Sequence, residues 1–255
     1  MNDSHVLLAH GNGGSLMREL LERVVYPALG VRESSTDAAP VAARPGWLPY
    51  LASDSFTVQP LFFPGGDIGS LAIHGTLNDL AVSGAEPAAI TLNLILEEGF
   101  PIADLKRILA TMRQMADEAG IYIVTGDTKV VDKGKADGIF INTAGIGDII
   151  PGTRISPKHV KPGMKVILSG YIGDHAAAIM AGRHDLALPE SVQTDCAPLN
   201  HMTQAMLAAA PDIAVLRDPT RGGVAAVLNE IAEASNCGIL IDEEQIPIHP
   251  EDRKS

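Results

Sequence analysis

A chain of 255 residues, 46% of them apolar, can bury a sizeable core, and its length favours two domains. Its 31 acidic and 19 basic residues leave a net charge of -12, which excludes a general nucleic-acid binder, because such proteins gather a basic patch and here the Lys and Arg are scattered. With 4% aromatic residues there is no stacking platform for single strands either.

The opening segment, MNDSHVLLAHGNGG, has no basic region followed by a long apolar stretch, and nowhere do about 18 apolar residues run uninterrupted. No signal peptide and no membrane span are expected, and the chain reads as soluble and cytoplasmic. Cys196 and Cys237 lack CxxC spacing and could pair only once, which argues against a disulfide framework or a structural zinc site. Each is expected to be a buried small residue rather than a nucleophile.

In chain order, the loop His10-Gly11-Asn12-Gly13-Gly14 leads into Leu16, Leu20, Leu21, Val24 and Val25, the spacing of an amphipathic helix. Such a loop brings backbone N–H groups close to an anion. It matches neither GxxxxGK[ST] nor GxGxxG, and a plain flexible N-terminus fits the spacing equally well. Residues 30–49, rich in Pro, Ala and Ser, read as a surface connection with Trp47 anchoring its end. A short strand around Leu51-Ala52-Ser53 then delivers Asp54, and Gln59 to Gly66 forms a stiff apolar turn.

The stretch Gly65 to Pro87 places Asn78-Asp79 inside an otherwise apolar, helix-like run. Asn and Asp are mediocre helix formers, and a carboxylate facing a packed interior is costly unless a cation or donors meet it. The competing reading is a solvent-facing Asp79, or one that caps a helix starting at Leu80. Further on, Ala89 to Leu96 alternates as a strand, and residues 102–119 have helical spacing with Gly120 as C-cap. The strand Ile121 to Val124 runs into Thr125-Gly126-Asp127-Thr128-Lys129, and Ile139 to Gly147 is another strand. A boundary fits the run from Ile150 to Gly163.

The second half opens with Met164 to Ser169, a buried-strand pattern, followed by Gly173-Asp174-His175 at the start of an alanine-rich helix. His175 reads equally as a ligand, a base or a structural residue. Ile213 to Leu216 and Gly238 to Asp242 read as strands, and between them Arg217-Asp218-Pro219-Thr220-Arg221-Gly222-Gly223 opens a helix over 224–234 at an anion-friendly N-terminus. The expected architecture is α/β in two domains, 1–150 and 151–255.

Four acidic stations therefore stand in small-residue surroundings: Asp54, Asp79, Asp127 and Asp218. Magnesium takes oxygen ligands and usually binds through one or two carboxylates plus substrate phosphates, so the four, with Lys129 as a compact cation, suggest a magnesium–nucleotide site. Four solvated aspartates would give the same spacing, and no P-loop or kinase signature accompanies them.

Taken together, HGNGG, SDSFTVQPLFFPGGDIGSLAIHGTLNDLAVSGAEP, VTGDTKVV, FINTAGIG, TDCAPL and RDPTRGGVAAVLNE resemble the HypE family of hydrogenase maturation proteins, from about His5 to Pro250. That family is similar to aminoimidazole ribonucleotide synthetase, selenophosphate synthetase and thiamine monophosphate kinase, which share an ATP-using fold. The resemblance implies an ATP-dependent carbamoyl dehydratase, which turns an S-carbamoyl group on a C-terminal cysteine into thiocyanate. It implies HypF as carbamoyl donor and a HypC–HypD scaffold as cyanide acceptor. It also implies a homodimer whose N-terminal sheets close into a barrel.

By motif, the resemblance makes Asp54, Asp79, Asp127 and Asp218 the magnesium–ATP carboxylates. Thr128 and Lys129 bind phosphate, with Lys129 and Asp127 at the chemistry, and His10, Gly11, Gly13 and Gly14 form a lid over the nucleotide. The sequence departs from the family at Ala176, where the GDHG pattern has glycine, and it stops at Ser255, before the family's later segments and terminal cysteine. The expectation is a truncated second domain that exposes apolar surface, with nucleotide binding and no self-thiocyanation. A non-catalytic scaffold, or a related ATP-dependent synthetase or kinase, is the alternative.

Overall fold

The computed structural model describes residues 4–11, 15–30, 45–149, 151–184, 193–220 and 222–249. After a 3-10 turn at Leu8–Gly11, a helical run consists of α1 (Ser15–Leu20), a π turn (Leu21–Val25) and α2 (Tyr26–Leu29). Its Leu20, Val24, Val25 and Leu29 are buried, as the amphipathic spacing predicts.

Four strands make one sheet: β1 (Leu48–Phe56), β4 (Ala85–Glu97), β5 (Tyr122–Val131) and β6 (Ile139–Ile149). Their order is β1-β6-β4-β5, so β1 and β5 are its edges. Pairs β1–β6 and β4–β6 are antiparallel, and β4–β5 is parallel. A parallel pair needs a crossover, which α4 (Ile102–Ala119) supplies. Gly120 ends α4 at φ 72°, the left-handed cap that glycine accepts without strain.

A small hairpin, β2 (Phe62–Phe63) with β3 (Gly66–Asp67), feeds α3 (Ile68–Val82). Asp67 starts α3 with a capping box: its Oδ1 accepts from the N–H groups of Gly69 at 2.8 Å and Ser70 at 2.9 Å, and Ser70 Oγ accepts from the Asp67 N–H. Ile68, Ile73, Leu77 and Leu80 are buried around α3, as a central helix requires.

Side chains alternate between the faces of a strand. Thr143 on β6 meets Thr76 on α3 at 2.6 Å, so the helices cover that face. Asp54 lies opposite Thr143 and shares it. One residue along, Asn142, Asn93 and Asp127 are matched across three strands, so they occupy the other face, where Leu51 is 79% exposed and Tyr122 74%.

The second half holds α5 (Asp174–His184), α6 (Asn200–Ala209) and α7 (Gly223–Ser235), and no strand among the described residues. The strands expected at Met164–Ser169, Ile213–Leu216 and Gly238–Asp242 form no ladder. An apolar run becomes a buried strand only where neighbours cover it, and here Ile167 and Leu240 stand at the surface. A cysteine-bearing strap, residues 193–199, crosses back to the first half: the Thr194 N–H donates to Pro64 O at 3.0 Å.

Candidate functional site

Asp79 sits inside α3, not at a helix start, and it is only half-buried. Gly75, one turn earlier on the same helix face, lies against β1: a Cβ there would come within 2.8 Å of the Phe56 ring and 3.8 Å of Asp54 Oδ2. The missing side chain lets helix and strand approach. That approach brings the Asp54 and Asp79 carboxylates to one side of the molecule, and the segment preceding α7 adds Asp218.

The electrostatics record this convergence. Burial pushes the Asp79 carboxyl up to about 6, with the negative charges of Asp218 and then Asp54 pushing the same way and Arg217 opposing them. Asp218 is also raised, mainly by burial and further by Asp54, with Arg217 opposing. Asp79 and Asp218 thus hold their protons more tightly than free carboxyls, an effect that a divalent cation bound beside them would relieve. An all-oxygen donor set suits magnesium. Among the described residues no group of three or more His, Cys, Asp or Glu side chains is placed to hold a metal ion by itself.

Asn78 has a separate role. Its Nδ2 donates to Ala197 O at 3.0 Å and its Oδ1 accepts from the Leu199 N–H at 2.9 Å, so it clamps the strap onto α3. Within the Asn78-Asp79 pair, one residue ties the halves together and the next faces the acidic site.

Asp127 and Thr128 are within β5, not in a turn at its end. Asp127 Oδ1 accepts from the Thr128 N–H at 2.8 Å, and its Oδ2 pairs with Lys129 Nζ at 3.0 Å. This pair is 60% and 67% exposed on the uncovered sheet face, while Thr128 is buried on the other. Asp127 therefore stands apart from the other three carboxylates within the chain.

His10 is fully buried, and its Nδ1 accepts from the Leu7 N–H at 2.9 Å. Gly11 closes the 3-10 turn, and Gly13 and Gly14 lie outside the described residues. His175 is held by Thr194 Oγ1 at 2.9 Å and sits edge-on to Phe63, which accounts for it structurally. Cys196 approaches His74 Nδ1 at 3.3 Å. Burial pushes its thiol up to about 12 and the His74 imidazole down to about 4, so the pair is neutral and the thiol unreactive near pH 7.

Sequence reasoning missed Gly75 and Asp67, and it missed the role of Asn78. Gly75 is invisible as a spacer until β1 is placed against it, Asp67 reads as one more acid, and Asn78 finds its partners about 120 residues away in the chain. The only signal for Asp67 is its place before a helical run with Ser70 three residues on.

The chain matches the family described as AIR synthase related protein, N-terminal domain, over residues 35–149, and the corresponding C-terminal domain over 161–254. It is 47% identical to the carbamoyl dehydratase HypE of Rhodobacter capsulatus, over 98% of this chain and 75% of that protein. It is similar to the crystal structure of the hydrogenase maturation protein HypE in complex with ATP, with a TM-score of 0.92 at 41% identity, over 97% of this chain and 74% of that one. A HypE–HypF complex matches with a TM-score of 0.78 at 45% identity, covering 94% and 77%.

Proposed function

The chain belongs to the HypE family of AIR synthase related proteins, and from that premise we propose that it is an ATP-dependent carbamoyl dehydratase serving nickel-iron hydrogenase assembly. The observation that carries this reading is the convergence of Asp54, Asp79 and Asp218 at the meeting of the two halves, where burial and the neighbouring negative charges raise the proton affinity of Asp79 and Asp218.

An amide oxygen leaves poorly. Transfer of the ATP γ-phosphoryl group to the oxygen of an S-carbamoyl group forms an O–P bond as the nitrogen gives up a proton. When the C–O bond breaks, its electron pair departs with phosphate, the second N–H proton is lost, and a nitrile remains on sulfur. Thiocarbamate and ATP thus yield thiocyanate, ADP and phosphate.

Bound magnesium supplies charge neutralisation for the phosphates, and Asp54, Asp79 and Asp218 are the residues that would hold it. Lys129, steadied by Asp127 beside Thr128, meets the charge of a transferred phosphoryl group. HypF is the carbamoyl donor, in keeping with the HypE–HypF assembly of a similar protein, and a HypC–HypD scaffold takes the cyanide. The carbamoylated group is a cysteine on a C-terminal segment of the family. The working form is a homodimer.

Calorimetry with magnesium and ATP tests the reading. Asp79→Ala weakens binding at least tenfold, whereas Asp104→Ala, on the first turn of α4, leaves it unchanged. Equal affinity in Asp79→Ala and the parent would return the three carboxylates to ordinary surface charge.

A further inference from the structure

Asparagine is depleted from strands, yet Asn93 and Asn142 stand directly opposite each other well inside β4 and β6. They lie on the uncovered face of the sheet, which also shows Leu51, Ile95 and Tyr122. Their amides form a relay toward β1. Asn93 Nδ2 donates to Asn142 Oδ1 at 3.3 Å, and Asn142 Nδ2 donates to Asp54 O at 2.9 Å and to Ser55 Oγ at 3.0 Å. Asn142 thus commits both of its N–H donors to β1, and the bond from Asn93 fixes which way its amide points.

β1 has a single neighbour in the sheet, β6, so where Asp54 stands depends on how that one ladder is held. β6 is itself fastened from the covered face. Thr143, the residue after Asn142, has its Oγ1 2.6 Å from Thr76 Oγ1 and donates to Ala72 O at 3.4 Å, both on α3. Ser53 Oγ adds a bond to Thr143 O at 3.1 Å. Two consecutive residues of β6 therefore bolt that strand to α3 on one face and to the Asp54 backbone on the other. This chain of bonds spans the gap across which Asp54 approaches α3, where its Oδ2 lies 3.8 Å from the position a Gly75 Cβ would take.

From this we infer that Asn142 is a positioning residue for magnesium: acting from the opposite face of the sheet, it fixes the β1 backbone at Asp54 so that the Asp54 carboxylate stays against α3, and Asn93 orients it. The inference rests on the magnesium–nucleotide reading given above and deepens it. Neither asparagine touches the ion or the nucleotide in this role. Asn142 acts only through Asp54.

The test uses the full chain, first without ligands. Hydrogen exchange read by mass spectrometry should quicken roughly tenfold over β1 in Asn142→Leu, with β4 unchanged. In calorimetry, the magnesium concentration that half-saturates ATP binding should rise about three- to tenfold, whereas ATP measured with magnesium chelated binds as in the parent. A residue that merely stabilised the sheet would weaken both alike. Asn142→Leu added to Asp54→Asn should raise the magnesium requirement no further, because both changes act through one carboxylate. Should circular dichroism show Asn142→Leu to be unfolded, Asn93→Leu, which leaves both donors in place and removes only what orients them, takes its place with smaller shifts in the same direction. Unchanged exchange over β1, equal weakening with and without magnesium, or an additive double variant would each overturn the positioning role. A parent whose ATP binding ignores magnesium would overturn the reading beneath it as well, and the ligand-free exchange result tells that failure apart from a failure of the tether.

Discussion

Leu94 on β4 and Ile167 in the second half both sit in apolar runs that read as buried strands, yet Leu94 is 2% exposed and Ile167 81%. Leu94 has a ladder on each side, from β5 and β6, and its strand packs against α3. Ile167 has no paired neighbour among the described residues. An apolar run states what a segment would bury, and only a partner in register decides whether it is buried.

This contrast can be broken most directly by truncation. Leu94→Ala should cost about 2–5 kcal/mol in urea unfolding, from lost transfer and a residual cavity. Ile167→Ala should stay within about 0.5 kcal/mol. Similar losses at both sites would mean that Ile167 is covered in solution. A smaller loss is expected from Asn78→Ala, which removes both hydrogen bonds to the strap: about 1–3 kcal/mol, read as greater protease sensitivity of the second half with the first half protected. Uniform cleavage of both halves would show that the strap does not join them.

Proton linkage sharpens the comparison at the boundary of the two halves. The folded Asp79 carboxyl titrates near 6 against 3.8 unfolded, so the folded state binds the proton more tightly. The stability this contributes is full below about pH 3.8 and is lost as pH rises through 6, and Asp218 acts in the same direction. Asp79→Asn should therefore flatten the fall in Tm between pH 4 and 6, and an unchanged slope would contradict the clustered charges. The smallest effect is expected at Arg217, whose guanidinium pairs with Glu230 at 2.9 Å on the surface. Arg217→Ala should change stability by under about 1 kcal/mol while raising the Asp79 titration midpoint further, followed by carboxyl NMR shifts.

Much of the first half was legible in the sequence because its signals are local. The apolar spacing over 102–119 and Gly120 after it gave α4 with its cap, and the alternation from Ala89 to Leu96 gave the middle of β4. The helical setting of Asp79 was legible too. What spacing could not supply was register: Asp54 and Asp127 look alike as acids among small residues, and only the sheet order puts them on opposite edges and faces. His10 illustrates the same limit. Its glycine-rich context suggested an open loop, whereas the 3-10 turn folds the imidazole back onto the Leu7 N–H.

The clamp at Asn78 has a consequence for how the molecule keeps track of its own cleft. Asn78 holds the strap, and the next residue carries the carboxyl that feels Asp218 across the gap. Drawing the second half away lowers both the desolvation of Asp79 and the repulsion from Asp218, so its proton affinity falls; closing the gap raises it. The ionisation of Asp79 is thus a gauge of separation built into the helix.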